Sequence, residues 1–124
     1  MIVSALQSKG LWIIASLMFL GKMGWFLYWG TLLDVDSVGY LQFQTALYHP
    51  PGYTIFCGLI VRIFGYVEAI VIVQAALLSF SVGFLLSQYI KNRKWLWVAG
   101  MVLALEPCTG LLCADIMAEA LFLA

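Results

Sequence analysis

Two long apolar runs, at about residues 11–33 and 66–90, constrain the fold of this chain more than any other feature. Each is long enough to cross a lipid bilayer as an α-helix, which takes about 20 apolar residues. The chain has 124 residues, of which 65% are hydrophobic and only 10% are charged. A chain this short cannot bury so many apolar side chains inside itself. The sequence therefore predicts an all-α membrane protein.

A polar segment separates the two runs and is the longest polar interruption in the chain. It begins with Asp34 and Asp36, either of which can cap the start of a short helix at the membrane interface. Pro50-Pro51 ends that helix, and the second of these prolines suits the first position of the next. This second helix ends at Gly65 and, at ~21 Å, is too short to cross the membrane. Residues 34–65 are therefore predicted to form an external loop that carries short interfacial helices.

The last third of the chain predicts a third span over about residues 95–106. Pro107 and Gly110 then interrupt the apolar run, which predicts an external turn at 107–115. A further span starts at 116–124, so the whole chain is one membrane-embedded segment with about three to four transmembrane helices. The chain ends inside an apolar run. We expect it to be the N-terminal fragment of a larger protein, or a small protein with an abrupt end.

Positive charge orients these spans, because short cytoplasmic loops of membrane proteins are rich in lysine and arginine. Lys91, Arg93 and Lys94 mark the loop after the second long run as cytoplasmic. The N-terminus is then cytoplasmic as well, and all six acidic residues fall at or near the external face. The formal net charge is zero, so nothing indicates a nucleic-acid partner.

Five separate motifs occur along the chain in this order: Asp36-x-x-x-Tyr40, His49-Pro50-Pro51-Gly52-Tyr53, Arg62-Ile63-Phe64-Gly65, Leu105-Glu106-Pro107 and Ala118-Glu119-Ala120-Leu121-Phe122. Together they resemble the N-terminal part of GT-C type membrane glycosyltransferases. They resemble in particular the bacterial family-39-like enzymes, related to protein O-mannosyltransferases and lipid A aminoarabinose transferases. The resemblance implies an active face on the external, periplasmic side of the plasma (inner) membrane. It also implies a polyprenyl-phosphate-linked sugar donor and a lipid, glycan or protein hydroxyl acceptor.

The resemblance implies a catalytic aspartate in the first external loop. Asp36 matches that position through its spacing to Tyr40, and Asp34 is the second candidate. A general base must lie within hydrogen-bond reach of the acceptor hydroxyl. We expect Asp36 to be this base and Asp34 to cap the helix. His49 matches a family turn in which the side chain contacts phosphate.

The resemblance also points to an acid in the second external loop, which some relatives use to bind a metal or the acceptor. Glu119 matches it, and Asp115 lies one helical turn earlier and can share its face. Met117 stands two residues before Glu119, where an acid is expected, and this departure argues against a divalent metal. The sequence therefore assigns no cofactor with certainty and no metal ligand.

Three further residues are candidates for donor or acceptor binding. Tyr40 and Tyr53 are predicted as interface anchors or, alternatively, as rings that stack on a sugar. Lys22 lies inside the first span. It is expected either to snorkel or face a cavity, or to contact an anionic group such as the phosphate of a membrane lipid.

Two other functions compete with the glycosyltransferase. The first is a small four-helix transporter, which would have short loops and an acid near the middle of the membrane. The second is a non-catalytic membrane subunit. The long polar loop and the external acids favour the enzyme over the transporter.

Overall fold

The computed structural model describes residues 9–33, 35–41 and 51–115 of the chain, with the backbone alone for 35 and 36. Within these ranges the regular structure is helical, apart from one isolated bridge pair. The helices are α1 (Lys9–Trp29), α2 (Val35–Leu41), α3 (Pro51–Phe64), α4 (Glu68–Tyr89), α5 (Arg93–Leu105) and α6 (Pro107–Ala114). The prediction of an all-α protein is confirmed for this part of the chain.

Two helices in the described part are long and apolar enough to cross a membrane, namely α1 with 21 residues and α4 with 22. At 1.5 Å per residue each is about 32 Å long, which matches a hydrocarbon core of about 30 Å. The consecutive helices α5 and α6 bend by 54° at their junction and count as a third span if the pair is taken as one. These helices are consistent with a membrane protein.

The ends of the helices follow local backbone chemistry. The first helix stops at Trp29 rather than at residue 33, because Gly30 adopts φ +75° and its N–H closes the last turn on Phe26 O at 2.7 Å. A positive φ costs glycine little and other residues more. As predicted, α3 begins at Pro51 and ends before Gly65. A short helix, α2, lies within the segment where an interfacial helix was predicted, while residues 42–50 lie outside the described part. Its position at a membrane interface stays a prediction.

The predicted external turn at 107–115 is wrong, because residues Pro107–Ala114 form the two-turn helix α6. Pro107 does break the preceding helix, as expected. Gly110, however, lies inside α6 and serves close packing. A Cβ at this position would lie 2.7 Å from Trp25 Cδ1. The further span expected at 116–124 lies outside the described residues.

Helix α1 occupies the centre of the bundle and packs against α4, α5 and α6. At one end, buried residues of α2, α3 and the start of α4 form an apolar cluster against which Phe26 packs. At the other end, Ile14 and Met18 of α1 pack with Leu96 of α5. Helices α2 and α3 therefore lie at the end of the bundle where α1 finishes, and the basic turn between α4 and α5 lies at the opposite end.

Helices α1 and α5 approach each other closely at Gly21 and Ala104. A Cβ at Gly21 would overlap the carbonyl oxygen of Ala104, which leaves no room for any side chain. Small residues commonly allow such approaches between membrane helices. Because of this contact, the next residue, Lys22, reaches the junction of α5 and α6.

Candidate functional site

The segment after α1 pairs with the end of α6. Leu32 N–H donates to Ala114 O at 2.9 Å, and Leu32 and Asp115 form an isolated parallel bridge. The fully buried Ser37 on α2 donates its hydroxyl hydrogen to Asp115 Oδ1 at 3.3 Å. We call the three residues Leu32, Ser37 and Asp115 the loop junction. It brings the first predicted acidic segment next to the second.

Two of the predicted binding residues, Tyr40 and Tyr53, lie beside this junction but inside the protein. Their exposed fractions are 5% and 2%, and their rings meet edge to face with centroids 4.6 Å apart. Tyr53 also stacks on Phe56 at 5.8 Å. The two tyrosines are therefore core residues of α2 and α3 in this structure. They neither anchor at a membrane surface nor offer a free ring face to a sugar.

The surroundings of Tyr53 are apolar but include a thiol and a carboxylate. Burial is the main cause that raises the pKa of its phenol above the ordinary value, and Cys57, Tyr40 and Asp115 add to it. The hydroxyl has no hydrogen-bond partner among the described residues. Burial also raises the pKa of the Cys57 thiol to about 11, so this thiol is neutral at physiological pH.

For the remaining acidic and phosphate-binding candidates, the structure describes at most the backbone. The backbone of Asp36 belongs to α2, directly before Ser37, but its side chain lies outside the described part of the structure. Asp34, His49 and Glu119 lie outside the described residues altogether. The structure thus brings Tyr40, Tyr53 and Asp115 together around α2. Whether the side chains of Asp34, Asp36, His49 and Glu119 lie close to them stays a prediction.

Lys22 is placed at the junction of α5 and α6. Its side chain is fully buried, and its Nζ donates to Leu103 O at 2.7 Å and to Glu106 O at 3.1 Å. The third acceptor is the hydroxyl oxygen of Thr109. These three acceptors match the three N–H donors of an ammonium group. Lys22 therefore faces the protein interior and has no donor left for the lipid phosphate that the sequence suggested as one alternative.

Lys22 supplies a hydrogen bond that the helix break removes. In a continuous α-helix the N–H of residue 107 would donate to the carbonyl of Leu103. Pro107 has no N–H, so this carbonyl would be buried without a donor. The negative end of the α5 dipole also favours a cation at this place. A helix break inside a protein requires such compensation, because a buried backbone carbonyl needs a hydrogen-bond donor.

Glu106 caps the start of α6 from the other side of the break. Its carboxylate accepts from Cys108 N at 2.6 Å, from Thr109 N at 2.8 Å and from Thr109 Oγ1 at 2.7 Å. The Thr109 hydroxyl thus accepts from Lys22 and donates to Glu106. We call Lys22, Leu103, Glu106 and Thr109 the lysine junction. The Glu106 carboxylate balances the charge of the buried ammonium through the intervening Thr109 hydroxyl.

Sequence reasoning found Lys22 and Glu106 but missed Thr109 and the way the three combine. A signal was present, because a carboxylate directly before proline is a common helix start, with proline at the first helical position. That signal would have predicted α6 and would have assigned Glu106 to a capping role. Among the described residues no group of three or more histidine, cysteine, aspartate or glutamate side chains is arranged to hold a metal ion. Comparison of the chain with family models, curated proteins and solved structures found no match.

Proposed function

We propose that this chain is the N-terminal, membrane-embedded part of a GT-C type glycosyltransferase. It would transfer a sugar from a polyprenyl-phosphate donor to a hydroxyl of a lipid, glycan or protein on the external face. The proposal rests first on the spaced motifs of the sequence. The structural observation that supports it best is the loop junction, since Ser37, the neighbour of Asp36, hydrogen-bonds to Asp115.

In this proposal Asp36 is the general base. The acceptor oxygen attacks the anomeric carbon of the donor sugar, its proton passes to the Asp36 carboxylate, and the bond between the sugar and the polyprenyl phosphate breaks. A poorly solvated carboxylate would suit this role, because lower solvation makes it a stronger base. Asp115, tied to the same helix, would help to position the acceptor. Tyr40 and Tyr53 would act only by holding α2 against α3.

The test uses the complete protein that contains this chain, purified in membranes and supplied with polyprenyl-phosphate-linked sugars. Transfer of a radiolabelled sugar is compared between wild type, Asp36→Asn and the control Glu68→Gln. Glu68 is an exposed carboxylate at the start of α4. Loss of transfer in Asp36→Asn alone is expected. Equal activity in all three proteins would remove Asp36 from the mechanism, and absence of transfer by the wild type would count against the family assignment.

One observation favours a transporter as the second candidate. Discontinuous helices with polar groups at the break are typical of substrate sites in transporters, and the α5–α6 pair with Lys22 has this form. A transporter would move a solute or protons across proteoliposomes, with flux that depends on Lys22. Sugar transfer without such flux would reject it.

A further inference from the structure

A groove runs along the outer side of α3, and neither the loop junction nor the lysine junction includes it. Its deeper part has a volume of about 320 Å³ and is lined by Leu41, Cys57, Gly58, Val61, Arg62 and Val67. A shallower part of about 250 Å³ lies against Ile55, Gly58, Leu59 and Arg62. The two parts share Gly58 and Arg62. We call them together the α3 groove.

Arg62 is the one charged side chain in the described lining of the α3 groove. It lies in the last turn of α3 and is exposed. Within the described part of the chain it makes no ion pair or hydrogen bond through its side chain. An arginine remains charged in every membrane environment and offers a planar set of donors that fits a phosphate group. The groove thus combines an apolar channel with a cation that has no partner among the described residues.

The neighbouring aromatic residues indicate the depth of this arginine in a bilayer. Phe64 and Tyr66 follow within four residues, are exposed at 49% and 47%, and contact each other edge to face. Exposed tyrosine is enriched at the level of the lipid headgroups. Ile55, Leu59 and Ile63 continue the same side of α3 as exposed apolar residues. Arg62 therefore sits where the phosphate of a lipid would lie if its chain followed α3.

We propose that the α3 groove binds an anionic phospholipid of the surrounding bilayer, with one acyl chain in the groove and the phosphate on Arg62. The described lining offers a phosphate-binding cation and otherwise apolar groups, with the neutral Cys57 thiol as an exception. It contains nothing that would recognise a sugar or another elaborate headgroup. A bilayer phospholipid meets these requirements and is present at high concentration. The proposal does not depend on the glycosyltransferase assignment.

The test measures lipid retention by native mass spectrometry of the chain in detergent, with phosphatidylglycerol and phosphatidylcholine as competing probes. The wild type is expected to retain phosphatidylglycerol preferentially. Arg62→Gln should lower that preference by about tenfold, as expected for the loss of a charge-assisted hydrogen bond. The matched control is Arg93→Gln, because Arg93 is also exposed but begins α5 at the opposite end of the bundle.

A second variant tests the groove itself with Arg62 intact. Gly58→Leu places a side chain between the two parts of the groove and is expected to lower the retention of both lipids. Circular dichroism verifies that each variant remains helical. Equal retention of the two lipids by the wild type would overturn the proposal, and so would an equal loss in Arg93→Gln. Preferential displacement of phosphatidylglycerol by an isoprenyl phosphate at equal concentration would also overturn it, because it would assign the groove to a different lipid.

Discussion

Replacement of Lys22 by methionine is the most direct test of the lysine junction. Methionine keeps most of the length of the side chain and removes the ammonium. The carbonyl of Leu103 then loses its donor, and Pro107 prevents any replacement from the helix backbone. A buried polar group without a partner costs about 1–3 kcal/mol. The carbonyl of Glu106 and the hydroxyl of Thr109 lose the same donor.

One effect opposes this loss. Removing the buried ammonium also removes the free-energy cost of taking that charge out of water. The acceptors stay behind, however, and breaking one side of a buried polar network is more costly than replacing all of it. We therefore expect Lys22→Met to lower the free energy of unfolding by about 2–4 kcal/mol.

The assay is equilibrium unfolding of the purified chain in mixed micelles, followed by circular dichroism. Lys9→Met is the control, because Lys9 is exposed at the start of the same helix and should change stability by less than about 0.5 kcal/mol. Thr109→Val completes a double-mutant cycle, in which contacting residues should couple by about 1 kcal/mol. Equal stability of the Lys22→Met and Lys9→Met proteins would refute the account of the helix break.

Three other predictions concern packing, capping and thiol chemistry. Gly21→Ala should destabilise the bundle by about 1–3 kcal/mol through its clash with α5, whereas Gly24→Ala, which has open space around its Cβ, should be neutral or slightly stabilising in the same unfolding assay. Glu106→Ala should cost about 1–2 kcal/mol as the loss of a helix cap, and Glu106→Gln should cost less; equal losses would show that the cap accepts no charge-assisted bond. Maleimide at about pH 8 should label the exposed Cys108 and spare Cys57, which is buried and has its pKa raised to about 11; mass spectrometry of the labelled chain checks this, and rapid labelling of Cys57 would contradict its burial.

The long helices could be predicted because their signal is local. An apolar run of more than 20 residues leaves a helix as the only spanning structure in lipid, and α1 and α4 lie where the two runs predicted them. Their exact ends were harder to predict. Gly30 shortened α1 by four residues, although the apolar run itself continues to Leu33.

The second half of the chain was harder to predict because the roles of its residues depend on contacts with residues far away in the sequence. A glycine in sequence can mark a helix break or a close contact, and only the ring of Trp25 shows that Gly110 is the latter. Likewise, a lysine inside a span can face lipid, a cavity or a backbone carbonyl. Which of these holds depends on Pro107, 85 positions further along the chain from Lys22.

The candidate site was predicted only in outline. The sequence predicted that the acidic residues of both external loops lie at or near the same face, and the hydrogen bond from Ser37 to Asp115 connects the two segments. It did not suggest that Tyr40 and Tyr53 would be enclosed. Aromatic residues in or beside a polar loop are usually expected at the surface, and the burial of these two follows from the packing of α2 and α3 on the start of α4.

The partnership between Lys22 and the proline-broken helix has a consequence for how such a sequence can change. If Pro107 were exchanged for a residue with a backbone N–H, the Leu103 carbonyl could bond within its own helix, and the buried ammonium would lose one of its three acceptors. If Lys22 were exchanged first, the Leu103 carbonyl at the helix break would have no hydrogen-bond donor. The two positions should thus be inherited as a pair, and a homologue that straightens this span should carry an uncharged residue at the position of Lys22.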